Sequence, residues 1–278
     1  MVTAEFSEFS FGYALTDSLI QALKSPLGVA PVFPSLQQEG SAGGGYDVHL
    51  PAIPFPLFLQ FKIPQVLSRQ STLCPPDYWP PYYRMPLRTQ KPNQHQLLLD
   101  LCAAQPSAMV LYASPLFHKV RDLDNHYLSK SVHQNTAFIE PSRIGKLDDK
   151  AHHVSYKPGA ATYWRHSEPT AIETGLNLDS MVQAIVTRRK TLQQRYEVNY
   201  RDLTHADQQQ RYFKELMLPL VTWFSARIAE RGRRADASKF EDTGDISPRG
   251  LANRLAYMAQ VHFGLTLALI DASNRRPE

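Results

Sequence analysis

The sequence predicts a mixed α/β domain over residues 1–170, in which helices flank a mixed sheet, followed by a helical C-terminal portion over residues 171–278 packed on it. Three observations carry this expectation. Short apolar runs of strand character alternate with helical periods as far as Ile139. Proline and glycine punctuate most junctions between them. Beyond Thr170 the pattern changes to long segments with helical spacing. The 43% hydrophobic content of the 278 residues provides material for a buried core and argues against general disorder.

Phe6–Leu23 opens the chain as an amphipathic helix, with Phe11, Leu15, Leu19, Ile20 and Leu23 along one face. Ser10 is a candidate cap, and Glu5 or Glu8 falls at the first turn. Lys24–Gly45 follows as a loop with Pro26, Pro31 and Pro34, ending in Gly43-Gly44-Gly45. No Gly-Lys-Ser/Thr follows the glycines, which excludes a Walker-type phosphate loop, and the dinucleotide-binding pattern is absent.

Tyr46–Leu50 and Leu57–Ile63 read as short strands, and Pro51, Pro54 and Pro56 confine the link between them to a turn. Side chains alternate along a strand, so Gln60 and Lys62 point to one side while Leu59, Phe61 and Ile63 point to the other. If the two strands pair as a hairpin, Asp47 comes close to Gln60 and Lys62. A carboxylate, an amide oxygen and an ammonium then meet at one spot. Asp47 also suits a glycine-rich turn, and Lys62 a solvated sheet position.

Pro64–Asn93 is rich in aromatics and proline and is expected as a long structured loop. Within it, Tyr78, Trp79, Tyr82 and Tyr83 beside Arg84 and Arg88 offer a surface where rings stack on unpaired bases and guanidinium groups hold phosphates. The competing role for these rings is to pin the loop to the core. Gln94–Gln105 reads as a helix through Leu97, Leu98, Leu101 and Cys102; Ala108–Ala113 as a strand broken by Ser114-Pro115; Val120–Ser129 as a helix; and Thr136–Ile139 as a strand. Asp179–Arg195, His205–Arg231 with a kink at Pro219, and Leu251–Ala272 are the expected C-terminal helices. Asp236–Pro248 is a polar linker with Ser247 as a cap before Pro248.

The 30 Lys and Arg against 26 Asp and Glu give a net charge of +4, compatible with nucleic acid without requiring it. Basic clusters at Arg188-Arg189-Lys190, Arg231, Arg233-Arg234 and Arg275-Arg276 fit phosphate contact or helix ends that complement the dipole. Cys74 and Cys102 are the only cysteines and lack zinc spacing, so reduced, structural thiols are expected. The histidines show no HExxH or comparable spacing, and no Gly-x-Ser-x-Gly elbow is present. No apolar run reaches membrane-spanning length and no basic-then-apolar leader opens the sequence, so a cytoplasmic location without membrane contact is expected.

Asp47 near the start of one strand, a short turn, and Gln60-Phe61-Lys62 on the next resemble the core of the PD-(D/E)XK, or restriction-endonuclease-like, nuclease superfamily. Gln60 stands where Glu is more usual. The resemblance implies a restriction-endonuclease-like core that hydrolyses phosphodiester bonds of DNA, with RNA as the second candidate, using Mg²⁺ or Mn²⁺. It implies Asp47 as the main metal ligand, Gln60 as a neutral one, the Phe61 carbonyl as the backbone ligand, and Lys62 as the group that steadies hydroxide and transition state. Glu8, on the preceding helix, is the implied additional acid. Tyr82, Tyr83, Arg84 and Arg88 are the expected nucleic-acid contacts. In a bacterial setting the resemblance implies restriction or antiviral defence, with a protein partner or a homo-oligomer as the controlling assembly. The competing expectation is a non-catalytic binding subunit of a larger assembly that retains the scaffold.

Overall fold

The computed structural model describes residues 2–23, 55–69, 78–90, 93–106, 108–166, 169–173, single positions between 176 and 194, 205–230, 248–263 and 265–270. Asp47 and its strand, the glycine-rich loop before it, Cys74, the four basic clusters and the linker ahead of Pro248 lie outside the described residues.

Contacts divide the chain into two units, the first being Met1–Leu23, Leu59–Ala103 and Val110–Val182. In chain order its elements are β1 (Val2–Thr3), α1 (Glu8–Leu23), the end of β2 (Phe55–Phe61), β3 (Gln65–Leu67), β4 (Tyr82–Leu87), α2 (Gln94–Ala104), β5 (Met109–Pro115), α3 (Val120–Leu128), β6 (Thr136–Ile139), α4 (Pro141–Ile144), β7 (His152–Tyr156), β8 (Thr162–His166) and β9 (Thr170–Glu173). A 3-10 turn, Val132–Asn135, leads into β6. Strands β1-β3-β4-β7-β8-β9 form a six-stranded sheet in which every pairing is antiparallel. In the second sheet β5 lies between β2 and β6.

Helix α1 forms because Phe11, Ala14, Leu15, Ser18 and Leu19 bury one face at helical spacing. Ser7 caps it, its Oγ accepting the Ser10 N–H at 3.1 Å, so the cap lies three residues before the expected Ser10. The helix comes close to the end of β2. A Cβ at Gly12 would lie 2.6 Å from the Phe61 ring, so only glycine admits this approach. Strands β5 and β6 are buried at every position, as strands covered on both faces are. Tyr156 of β7 ties the two sheets together: its hydroxyl lies 2.6 Å from Ser114 Oγ and 3.1 Å from the Pro115 carbonyl.

Three expectations are corrected here. Pro64–Asn93 is not one long loop, because it supplies β3 and β4. Strand β5 runs on through Ser114 and Pro115, and residues 152–173 hold three strands that hydrophobic period alone does not mark. The last apolar stretch is not one helix to Ala272, as described next.

The second unit contains the start of β2, helices α5 (His205–Glu230) and α6 (Pro248–Phe263), and β10 (Thr266–Ile270) beside β2. Its core joins Phe213, Met217, Leu220 and Phe224 of α5 to Leu251, Leu255 and Ala259 of α6, all buried. Phe224 lies 5.7 Å from Phe58 of β2, ring to ring. Helix α6 opens on Pro248, whose missing N–H has no intrahelical partner to lose at that position. The helix ends at Phe263, and β10 takes the apolar residues that follow. No helix among the described residues is long and apolar enough to cross a membrane.

Candidate functional site

Lys62 directly follows the last residue of β2, and its backbone is held on both sides by β5. Its N–H donates to the Ala113 carbonyl at 3.0 Å, and Ser114 Oγ donates to its carbonyl at 2.8 Å. From this fixed root the side chain reaches Gln94, where Nζ donates to Oε1 at 2.8 Å. Gln94 Nε2 donates in turn to Gln60 Oε1 at 2.6 Å, and Gln60 Nε2 to the Phe61 carbonyl at 3.2 Å. An ammonium can only donate, so Lys62 fixes which end of the Gln94 amide faces it. That choice sets the amide of Gln60.

Gln94 is positioned by the start of α2. Asn93 Oδ1 accepts the Gln96 N–H at 2.9 Å as a cap, and the His95 N–H donates to the Arg88 carbonyl at 3.1 Å. His95 anchors this turn from below: Nε2 lies 2.8 Å from the Gly145 carbonyl and Nδ1 3.0 Å from the Tyr112 hydroxyl. A carbonyl only accepts, so Nε2 carries the proton and Nδ1 receives the tyrosine hydrogen. Burial keeps the imidazole neutral by lowering its pKa, against the opposing effect of the Gly145 bond.

Burial also pushes the Lys62 ammonium below its ordinary range. Glu8 opposes that shift and Arg88 adds to it. Three segments therefore act on this amine: the first turn of α1, the residue after β4 and the start of α2. Glu8 is exposed as the first residue of α1. Glu5, the second acidic candidate, is used elsewhere, pairing with Lys119 at 2.7 Å and accepting the Val120 N–H at 3.2 Å at the start of α3.

Of the expected site residues, Gln60, Phe61, Lys62, Glu8 and Arg88 come together, and Asp47 lies outside the described residues. The aromatic contacts separate. Tyr82 is 1% exposed and packs on Tyr78 and Leu67, so its ring is core material and cannot stack on a base; that expectation is corrected. Tyr83 projects to the opposite face of β4, stacked on Tyr156 at 5.8 Å. Arg84 returns to the Tyr82 face. Gln94 is the member that sequence reasoning missed, and its only sequence signal is a polar amide at the start of a helix whose middle is a run of leucines.

Among the described residues no three His, Cys, Asp or Glu side chains gather as a metal-holding group. The site offers two neutral oxygens, Gln60 Oε1 and the Phe61 carbonyl, with Glu8 as the carboxylate in electrostatic reach. These are hard donors of the kind Mg²⁺ takes, but such ions draw their charge complement from carboxylates. Among the described residues Glu8 is the carboxylate that could answer that need. Comparison with protein-family models, with curated proteins and with solved structures finds no match for this chain.

Proposed function

We propose that the chain is a metal-dependent nuclease that hydrolyses phosphodiester bonds of DNA, with RNA as the second substrate candidate. The observation that supports this reading is the amine of Lys62, rooted on β5, turned onto an amide bridge and lowered in pKa by burial. In this reading Lys62 steadies the attacking oxygen and the charge that develops on the phosphoryl group. Gln94 holds the amine in place, Gln60 and the Phe61 carbonyl would hold the metal together with Asp47, and Glu8 supplies further negative charge. A bound Mg²⁺ supplies a water of lowered pKa and polarises the phosphate. In this reading Arg88 meets a phosphate of the substrate strand, and restriction or antiviral defence is the setting that such an activity suits.

A second reading has its own observation. Gln60 is neutral and its oxygen is already taken by Gln94. A scaffold with such a closed amide run suits a non-catalytic subunit that binds nucleic acid or a protein partner. The two separate in one experiment: incubation of plasmid, linear DNA and RNA with Mg²⁺ or Mn²⁺, using wild type and folded Asp47→Ala and Lys62→Ala variants. Cleavage that requires metal and is lost in both variants supports the nuclease. Salt-sensitive binding without cleavage supports the subunit. Cleavage unchanged in both variants removes this site from the reaction.

A further inference from the structure

A second polar cluster lies on one face of the six-stranded sheet and shares no residue with the Lys62 site. Arg84 of β4 stands opposite Ser155 of β7, Pro86 opposite His153, and His153 opposite His166 of β8. Directly paired residues, and residues two apart on a strand, share a face. Arg84, His153 and His166 are therefore neighbours on one surface, with Gln65 of β3 opposite Arg84 on its other side. The rings of His153 and His166 stack, with centroids 4.6 Å apart and planes at 10°.

This cluster leaves two buried nitrogens without partners. His166 is only 3% exposed, yet its Nε2 has no hydrogen-bond partner, and neither has the buried Nε of Arg84. Arg84, His166 and His152 all push the His153 pKa the same way, downward, and no carboxylate is among the groups acting on it. Among the described residues no carboxylate pairs with Arg84. Arg84 and His153 are only half-buried, which leaves them within reach of a solute. A guanidinium that only donates, beside two imidazoles that each offer a ring N–H, has an obvious chemical complement, a group that brings several oxygens and negative charge.

We propose that this face binds a phosphate-type oxyanion, held by Arg84 together with His166 and His153. A tetrahedral oxyanion accepts from donors arriving from several directions and supplies both buried nitrogens with partners. The proposal stands independently of the nuclease reading, because it uses none of Asp47, Gln60, Lys62 or Glu8.

The test is a titration of the full chain with inorganic phosphate at constant ionic strength, followed by the ring-nitrogen NMR signals of the histidines. Saturable shifts confined to His153 and His166, with affinity weakened about tenfold or more in Arg84→Met, are the expected result. Shifts that never saturate, that fall on other histidines, or that keep their affinity in a folded Arg84→Met variant overturn the proposal. Should that variant not fold, the wild-type shift map decides alone. A 5′-phosphorylated oligonucleotide and its unphosphorylated twin identify the source of the anion. Displacement of inorganic phosphate by the phosphorylated strand alone assigns the site to a polynucleotide end. Phosphate binding untouched by either strand assigns it to the free ion, and both results support the site.

Discussion

The Lys62 cluster and the Arg84 cluster lie in the same compact unit and treat buried polar atoms differently. At Lys62 the ammonium, the Gln94 amide, the Gln60 amide and the Phe61 carbonyl form one unbroken run of hydrogen bonds. On the sheet face two buried nitrogens, Arg84 Nε and His166 Nε2, have none. A buried polar group left unpaired costs about 1–3 kcal/mol, while a made bond returns about 1. The first cluster thus holds a side chain in a set geometry and adds to stability. The second is carried by the fold at a cost, and a partner from outside the chain would relieve it.

The largest expected effect follows from breaking the closed run. Gln94→Leu removes the acceptor of Lys62 and the donor of Gln60 together, leaving both groups buried and unpaired. The variant is expected to lose about 2–4 kcal/mol in urea unfolding. Arg84→Met, which keeps the stem and deletes a nitrogen that has no partner, is expected to change stability by about 1 kcal/mol or less, in the stabilising direction if at all. Equal losses in the two variants would erase the distinction between the clusters.

An acid titration sharpens the same contrast. Burial lowers His153 to about 3, with Arg84, His166 and His152 adding to the shift, and burial lowers His166 as well. Both are bases whose folded pKa lies below the unfolded value of 6.5. Between the two values the unfolded chain binds a proton that the folded chain refuses, so stability falls as pH drops below 6.5 and continues to fall towards 3. One such site contributes at most about 1.4 kcal/mol per pH unit, and less here because His153 is only partly shielded from solvent. The expected outcome is a steeper acid loss of stability in wild type than in His153→Gln, read from urea midpoints between pH 7 and pH 4. Parallel curves would mean that His153 is protonated in the fold at little cost.

Much of the local structure was legible because it is written in short-range pattern. Thr136–Ile139 forms the expected strand, and α2 and α3 end within one residue of the expected limits. Their apolar spacing and breakers act on the segment itself. Strand β4 was hidden because Pro86 sits inside it, opposite His153, and proline argues against a strand until its neighbours are known. The final apolar stretch was ambiguous between helix and strand, and only its place beside β2 decides. At the site, the polar alternation of Gln60 and Lys62 was visible in sequence. Gln94 was not, because a residue 32 positions from Lys62 becomes its partner only through the fold. The Arg84 cluster was hidden for the same reason, since it needs the register of three strands.

The smallest effect expected is also the most direct probe of how the Lys62 site is tuned. Burial lowers the Lys62 pKa, Glu8 pulls it back up and Arg88 pushes it further down. The signs follow from charge: a carboxylate in reach favours the ammonium, and a second cation disfavours it. Glu8→Gln should therefore lower the Lys62 pKa from its wild-type position, and Arg88→Gln should raise it. The double variant should fall between the two, since the sites act on the amine from different elements and share no partner. Titration of the Lys62 Nζ signal by NMR, with the chain labelled at lysine, reads all three. A pKa that moves the same way in both single variants would show that the substitutions act by changing burial rather than charge. A pKa that moves in neither would place Glu8 and Arg88 outside the electrostatics of this amine, and Glu8 would then lose its proposed part in the site.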